Sequence, residues 1–173
     1  MAFNGNLVFS NAQQSPSARS NPEPASAEQQ KRHHRMKQAT HTLEITTRGQ
    51  ALYECTSPIT QWVRQQQMQT GLLTVFCRHT SASLLIQENA DPTVRVDLKA
   101  FFERIAPEHG PYQHDSEGPD DMPAHLKTAL TQVQLSIPLI NGKLALGTWQ
   151  GIYLFEHRTR PHRREIVLHL IGE

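Results

Sequence analysis

From Thr42 onward the apolar side chains fall at two intervals, and each change of interval marks a change of element. Alternation at Leu43 and Ile45 predicts a strand over Thr42–Thr47, closed by Arg48-Gly49-Gln50. Leu52–Cys55 reads as a short extended piece. Thr56-Ser57-Pro58 then opens a helix, with a hydroxyl cap followed by proline in the first turn. Ile59, Trp62, Val63 and Gln66 share one face of it, and Gly71 is placed to end it in a left-handed turn. Leu72–Phe76 is a continuous apolar strand, and Ser83–Gln87 is another carrying Leu84, Leu85 and Ile86. Asp91-Pro92 starts a second helix by joining a carboxylate cap to proline at the first helical position. Val94, Leu98, Phe101, Phe102 and Ile105 follow at helical spacing until Pro107. A long polar loop over 107–120 leads to a third helix, capped by Asp121 and running to Leu130. Beyond it the pattern is all strand. Gln134–Leu139 and Lys143–Leu146 flank Asn141-Gly142, a tight hairpin signal, and Trp149–Glu156 and Glu165–Ile171 are joined by an Arg-rich connection.

That order gives about seven strands and three helices, without repeated strand–helix–strand units and without a phosphate loop. It predicts an α+β fold, a largely antiparallel sheet or sandwich with helices on one side. Residues 1–38 differ in kind. Ser10–Ser26 is rich in Ser, Pro, Asn, Gln and Ala, and Gln29–Lys37 is a basic polar run. Neither buries enough apolar surface to offset ordering entropy, so residues 1–38 are expected to be a disordered tail before a single domain over 39–173. Phe3, Leu7, Val8 and Phe9 are too broken a set for a secretory signal.

A net charge of +1 shows no basic excess, which argues against nucleic acid or an anionic membrane as partner. No apolar run approaches the ~20 residues of a membrane span. Cys55 and Cys77 are too few for a disulfide framework or a cysteine zinc site, and free thiols suit a cytoplasmic location. Ten histidines are the departure in composition.

Three of them, His79, His114 and His125, are candidate metal ligands. Imidazole nitrogen suits zinc, and three ligands leave a coordination position open. Asp115, Glu117, Asp120 and Asp121 surround two of these histidines in sequence and could orient them. Read separately, each histidine also has a bland role, at a strand end, in a solvated loop or in a first helical turn. Glu88 could be a general base, a partner of a ligating histidine or a salt-bridge partner of Arg95. Ser81 and Ser83 lack a nucleophile elbow and suit donation to an anion or to backbone. Trp149 and Gln150, past Gly147, offer a ring face and an amide, although Trp149 as core and Gly147 as a bulge serve equally well. Arg158, Arg160, Arg163 and Arg164 form a cation cluster whose forks match phosphate geometry.

Taken together, several segments resemble the YjbQ-like family, whose members are often labelled secondary thiamine-phosphate synthase enzymes. The resemblance is carried by His79-Thr80-Ser81-Ala82-Ser83, Glu88-Asn89-Ala90-Asp91 and Asp120-Asp121-Met122-Pro123-Ala124-His125. It continues through Leu146-Gly147-Thr148-Trp149-Gln150-Gly151-Ile152 and Glu156-His157-Arg158, covering Thr40 to Glu173 in order. It implies a compact α+β protomer assembling as a homotrimer, with histidines around a pocket that can hold a metal. His79, His114 and His125 match the family's histidine positions, and Glu88, Trp149, Glu156 and Arg158 match its other polar positions. The implied activity is a weak joining of a pyrimidine pyrophosphate to a thiazole phosphate, releasing pyrophosphate.

Two classes of function follow. As an enzyme, the chain would use a metal (zinc or, with a pyrophosphate substrate, magnesium) or an arginine pair such as Arg158 and Arg160 to neutralise the leaving pyrophosphate while Trp149 stacks on a heteroaromatic ring. A metal-assisted hydrolase with Glu88 as base is a variant of that reading. As a non-enzyme, the trimer would bind a small phosphorylated metabolite without acting on it.

Overall fold

The computed structural model describes residues 35–173. Among these, the strands are β1 Lys37–Thr46, β2 Ala51–Glu54, β3 Thr70–Cys77, β4 Ala82–Glu88, β5 Gln134–Ile140, β6 Lys143–Leu144, β7 Gln150–Glu156 and β8 Arg163–Gly172. The helices are α1 Thr56–Gln65, α2 Pro92–Ile105 and α3 Asp121–Leu130. The strands form two antiparallel sheets, one of order β1-β8-β3-β5-β6 and one of order β2-β7-β4. The α+β class with antiparallel sheets agrees with the sequence pattern.

The core lies where Leu73, Val75, Ile137, Leu139, Ile166, Leu168 and Leu170 of the larger sheet meet Leu84, Ile152 and Leu154 of the smaller one. Alternation along β3, β5 and β8 produces this face directly, since successive side chains point to opposite sides of a strand. β7 is different, because it is buried on both faces from Gly151 to Glu156. Ile152 and Leu154 join the core between the sheets, while Phe155 meets Phe102 of α2 edge-on at 5.3 Å. α1 closes the core with Ile59 and Val63, and α3 lays Ala124, Lys127 and Thr128 inward.

Local signals were obeyed unevenly. Asp91 caps α2 as expected, its carboxylate accepting from the Thr93 amide at 2.8 Å. Asn141 and Gly142 both take positive φ, as the hairpin requires. Gly71 does not end α1, which stops at Gln65 and is followed by a left-handed Gln67. Instead Gly71 lies within β3 opposite Gly172 of β8, where a Cβ on either would collide with the carbonyl oxygen of Ile171 or Thr70. Close approach of two strands, rather than a turn, is what demands glycine there. β1 also begins inside the segment assigned to the tail, because the ten-residue β8 offers partners as far as Lys37↔Gly172 and Gln38↔Ile171. The rest of that tail, through residue 34, lies outside the described residues.

The two sheets are tied by one buried ion pair. Glu156 ends β7 with no exposed surface, and Arg164 near the start of β8 is 5% exposed. Arg164 Nε donates to Glu156 Oε2 at 2.7 Å, and its Nη2 donates to Oε1. The Thr47 hydroxyl adds a bond to Oε2 at 2.8 Å and the Arg158 amide one to Oε1 at 3.0 Å. Burial, the largest influence on the Glu156 carboxyl, pushes its pKa up; the bonds from Arg164, Arg158 and Thr47 outweigh it and hold the pKa below the usual value.

Breaking such a pair leaves a charge stranded in the interior. Glu156→Gln is therefore expected to lower unfolding free energy by about 3–5 kcal/mol, whereas replacing both Glu156 and Arg164 by apolar residues of similar volume recovers most of it. Urea unfolding of the three variants checks this; a loss of under about 1 kcal/mol for Glu156→Gln contradicts it.

Candidate functional site

The site is built at the start of α3. Asp121 and His125 stand four residues apart and so share a helix face. The loop before the helix brings in His114, whose Nε2 donates to Asp121 Oδ2 at 2.8 Å. His125 Nε2 lies 3.5 Å from the same oxygen. One potential ligand atom from each of the three falls within 4.8 Å of the others. Tautomer is settled for His125, because its Nδ1 lies 2.9 Å from the Thr80 carbonyl and must carry the proton it donates. In the neutral ring the lone pair is then on Nε2, the nitrogen directed at the carboxylate. Ligating histidines are usually fixed in this way.

Asp121 itself is held from behind, its side chain 3% exposed. Arg158 Nη1 donates to Asp121 Oδ1, Nε to Asp120 Oδ2 at 3.1 Å, and Nη2 to the Glu117 carbonyl at 2.9 Å. Asp120 does not cap α3 through its side chain. Its carboxylate also accepts from the Thr159 amide and hydroxyl at 2.8 and 3.0 Å. Burial, the largest influence on Asp120, pushes its pKa up, but Thr159 and Arg158 together bring it below the usual carboxylate range.

Beside this cluster opens a cavity of about 770 Å³. His125 belongs to both. Phe76, Cys77, Ala129 and Val133 give the cavity an apolar lining, with Thr80, Thr128, Thr131, Arg78 and His79 completing it. Arg78 is paired with Glu165 at 2.9 Å. The buried Thr128 hydroxyl has no hydrogen-bond partner.

The residues chosen from sequence separate into groups. His114 and His125 come together, with Asp121 as their neighbour. His79 lines the cavity, but its Nε2 accepts from the Glu165 amide at 2.8 Å, so that lone pair is occupied. Burial first, then Arg164, holds the His79 pKa below its ordinary value. Ser81 accepts from Arg164 at 3.2 Å. Ser83 is fully buried and hydrogen-bonded to His157 Nε2 at 2.9 Å. Glu156 and Arg158 are taken up by the ion pairs described above. Arg160 is exposed. Glu88, Trp149 and Gln150 line a second cavity of about 390 Å³. Glu88 pairs with Gln150 at one end of β4, while Ala82 pairs with Glu156 at the other. That span is the seven-residue length of β4, roughly 20 Å at about 3.3 Å per residue. Within one protomer, Glu88 and Trp149 therefore do not face the histidine cluster.

The family model described as "UPF0047 protein YjbQ-like" matches residues 41–173. A UPF0047 protein of Synechocystis is 53% identical over 138 residues, covering 79% of this chain and 94% of that relative. The YjbQ protein of Escherichia coli O157:H7 is 42% identical, covering 76% of this chain and 96% of its own length. A YjbQ/UPF0047-family crystal structure from Clostridium acetobutylicum has TM-score 0.68 and 33% identity, over 76% of this chain and 98% of that one. A crystal structure from Sulfolobus solfataricus, described as a YbjQ-like protein of unknown function, has TM-score 0.75 at 23% identity, over 80% of this chain and all of the other. The chain thus belongs to the YjbQ-like UPF0047 family.

Sequence reasoning gave Asp121 only a capping or supporting role, although its i,i+4 relation to His125 is a usable signal. It gave no role to His157 or Lys127. His157 is 1% exposed, stacked obliquely on Phe155 at 4.3 Å, and its Nδ1 has no partner. Lys127 is 3% exposed, and burial holds its amine below the usual lysine range, against the pull of Glu103 and Glu108.

Burial, with Lys127 and Arg164 nearby, pushes the His157 imidazole down to about 3 from 6.5. A base depressed on folding makes the unfolded chain bind the extra proton, so its stabilisation is complete above about pH 6.5 and is lost as pH falls toward 3. In chelator-treated protein, unfolding free energy should fall from pH 6.5 to pH 5 with a His157 contribution approaching about 1.4 kcal/mol per unit. His157→Gln should flatten that slope by about one proton, and an unchanged slope contradicts the assignment.

Proposed function

We propose that this protein is a metal-dependent protein in which His114, Asp121 and His125 hold one divalent ion and the adjoining cavity takes a small phosphorylated metabolite. The observation that carries the reading is the His125 tautomer, with Nδ1 donating to Thr80 O and Nε2 directed at Asp121. Two imidazoles and a carboxylate fit a first-row ion, and the nitrogen donors favour zinc over magnesium. When bound, such an ion would supply a Lewis acid for phosphate oxygens.

The chain's own groups supply the rest. Arg158 keeps the Asp121 carboxylate turned toward the histidines, and Thr80 keeps the His125 proton off the ligating nitrogen. Oriented ligands of this kind lose less freedom on binding an ion. The cavity walls would place the metabolite and exclude water from it. Under this reading the family-implied reaction, pyrimidine pyrophosphate with thiazole phosphate to release pyrophosphate, is an enzyme's use of the same site. Binding without turnover by the same trimer is the alternative, and within one protomer the distance to Glu88 favours it over a hydrolase with Glu88 as base. His79 as a third imidazole would require it to release the Glu165 amide.

We also propose a homotrimer in the cytoplasm. Leu72 and Ile171 are exposed and paired across β3 and β8, with Phe76 exposed on the same face two pleats along, and such a face suits self-association. None of the described helices is long and apolar enough to cross a membrane.

Metal analysis of untagged protein is the direct test. His125→Ala and Asp121→Asn should each lower zinc affinity more than tenfold, Arg158→Ala should lower it by about 10–100-fold, and His79→Ala should leave it within a few-fold. Wild type that stays empty at micromolar zinc refutes the metal. Light scattering that reports a monomer at every concentration refutes the trimer.

A further inference from the structure

Three consecutive residues between β3 and β4 bring unpartnered donors to the cavity beside α3. His79 Nε2 accepts from the Glu165 amide, so in the neutral ring the proton sits on Nδ1, and no described group accepts from it. Burial and the nearby Arg164 oppose a second proton on that ring, so His79 stays a neutral donor. Arg78 gives Nη1 to Glu165 at 2.9 Å, which leaves the edge formed by Nε and Nη2 without a partner among the described residues. By that same edge Arg164 holds the Glu156 carboxylate and Arg163 holds that of Glu44. The Thr80 carbonyl is bound to His125, while its hydroxyl has no partner among the described residues. Phe76, Ala129 and Val133 add apolar wall to these groups.

The charge already present selects among the acceptors such donors take. Arg78 is balanced by Glu165 and His79 is neutral, so this part of the lining has no positive charge in excess. A monoanion sharing Arg78 with Glu165 leaves one charge uncompensated, whereas a dianion leaves two, and the cost of stripping water from an ion rises with its charge. A neutral amide offers one acceptor oxygen, and its own N–H groups meet further donors. A carboxylate offers two oxygens in one plane, which is what the Nε–Nη2 edge of an arginine takes up. We propose that Arg78, His79 and Thr80 form a carboxylate subsite, and that the ligand of this cavity carries one carboxylate on an apolar body lying against Phe76, Ala129 and Val133. The volume of about 770 Å³ holds such a body, within the 300–1,000 Å³ usual for small-molecule sites. The subsite does not rest on an ion at His114, Asp121 and His125. With one bound, the metabolite proposed above carries this carboxylate in addition to its phosphate.

The test uses full-length, chelator-treated protein in mildly alkaline buffer and three probes sharing one benzyl body: phenylacetate, phenylacetamide and benzylphosphonate. Amide chemical shifts locate each probe and give its affinity. Phenylacetate should move the His79, Thr80 and Val133 amides and bind at least roughly tenfold more tightly than either of the others, the difference a charged hydrogen bond makes. Arg78→Met, at a side chain 57% exposed and so free to change without disturbing the core, should erase that preference while leaving the weak phenylacetamide binding where it was. Phenylacetamide or benzylphosphonate binding as tightly as phenylacetate overturns the proposal. So does a phenylacetate preference that survives Arg78→Met, or no shift of those amides at any concentration of phenylacetate. Because no ion is present in these titrations, they leave the metal reading to its own zinc analysis. An empty cluster there does not affect the carboxylate result, and a filled one does not rescue it.

Discussion

The Glu156–Arg164 pair is the constraint on which the rest of this molecule depends. It joins the end of β7 in one sheet to the start of β8 in the other by direct hydrogen bonds between buried groups. A buried pair of this kind is weak evidence for stability by itself, because desolvating two charges offsets much of their attraction. Its effect here is positional. Since any displacement of one partner exposes an unpaired charge, the two sheets have a single acceptable offset at this end. Thr47 extends the restraint to the end of β1, and Ser81 extends it to the turn before β4.

The candidate site inherits that restraint through the connection between β7 and β8. The second Glu156 oxygen holds the Arg158 amide, and the Arg158 side chain holds Asp120, Asp121 and the Glu117 carbonyl. The carboxylate between the two histidines is thus fixed by a chain of charged hydrogen bonds reaching back to the sheet interface. Charge-assisted bonds of this type are roughly twice as strong as neutral ones, so Asp121 has little freedom to rotate away from His114 and His125. The arginine assigned to phosphate from sequence is instead bonded to Asp120 and Asp121, and so holds the carboxylate that faces the two histidines.

How far the sequence could lead depended on whether a residue's partner was local. The Asn141-Gly142 hairpin, the Asp91 cap and the alternating strands were readable because turn geometry, capping and pleat are properties of neighbours in the chain. Gly71 misled because the backbone that crowds it belongs to β8, about a hundred residues away in sequence. His114 and His125 could be singled out as polar residues flanking an acidic loop, but their shared partner Asp121 looked like an ordinary cap. Glu88 and Trp149 occupy family-matching segments, yet strand register places them a full strand length from the histidines. Nothing in composition or spacing carries that register. Lys127 and His157 were invisible for the opposite reason, since a lysine and a histidine are expected at the surface unless a fold forces them inward.

Those two buried bases show what the arrangement costs. β7 must face the inter-sheet core with one side and the helices with the other, so the residue after Glu156 enters the helix side whatever its chemistry. There His157 finds Ser83 for one nitrogen and nothing for the other. Lys127 lies on the buried side of α3 with Ala124 and Thr128, close enough for its charge to act on His157. Burying both bases disfavours their charged forms, and keeping His157 neutral avoids adding a further positive charge beside Lys127 and Arg164. A leucine at either position would pack at less cost by transfer energy alone. A buried lysine and a histidine with one unpartnered nitrogen therefore accompany the helix that presents Asp121 and His125, where a fold selected only for stability would place apolar side chains.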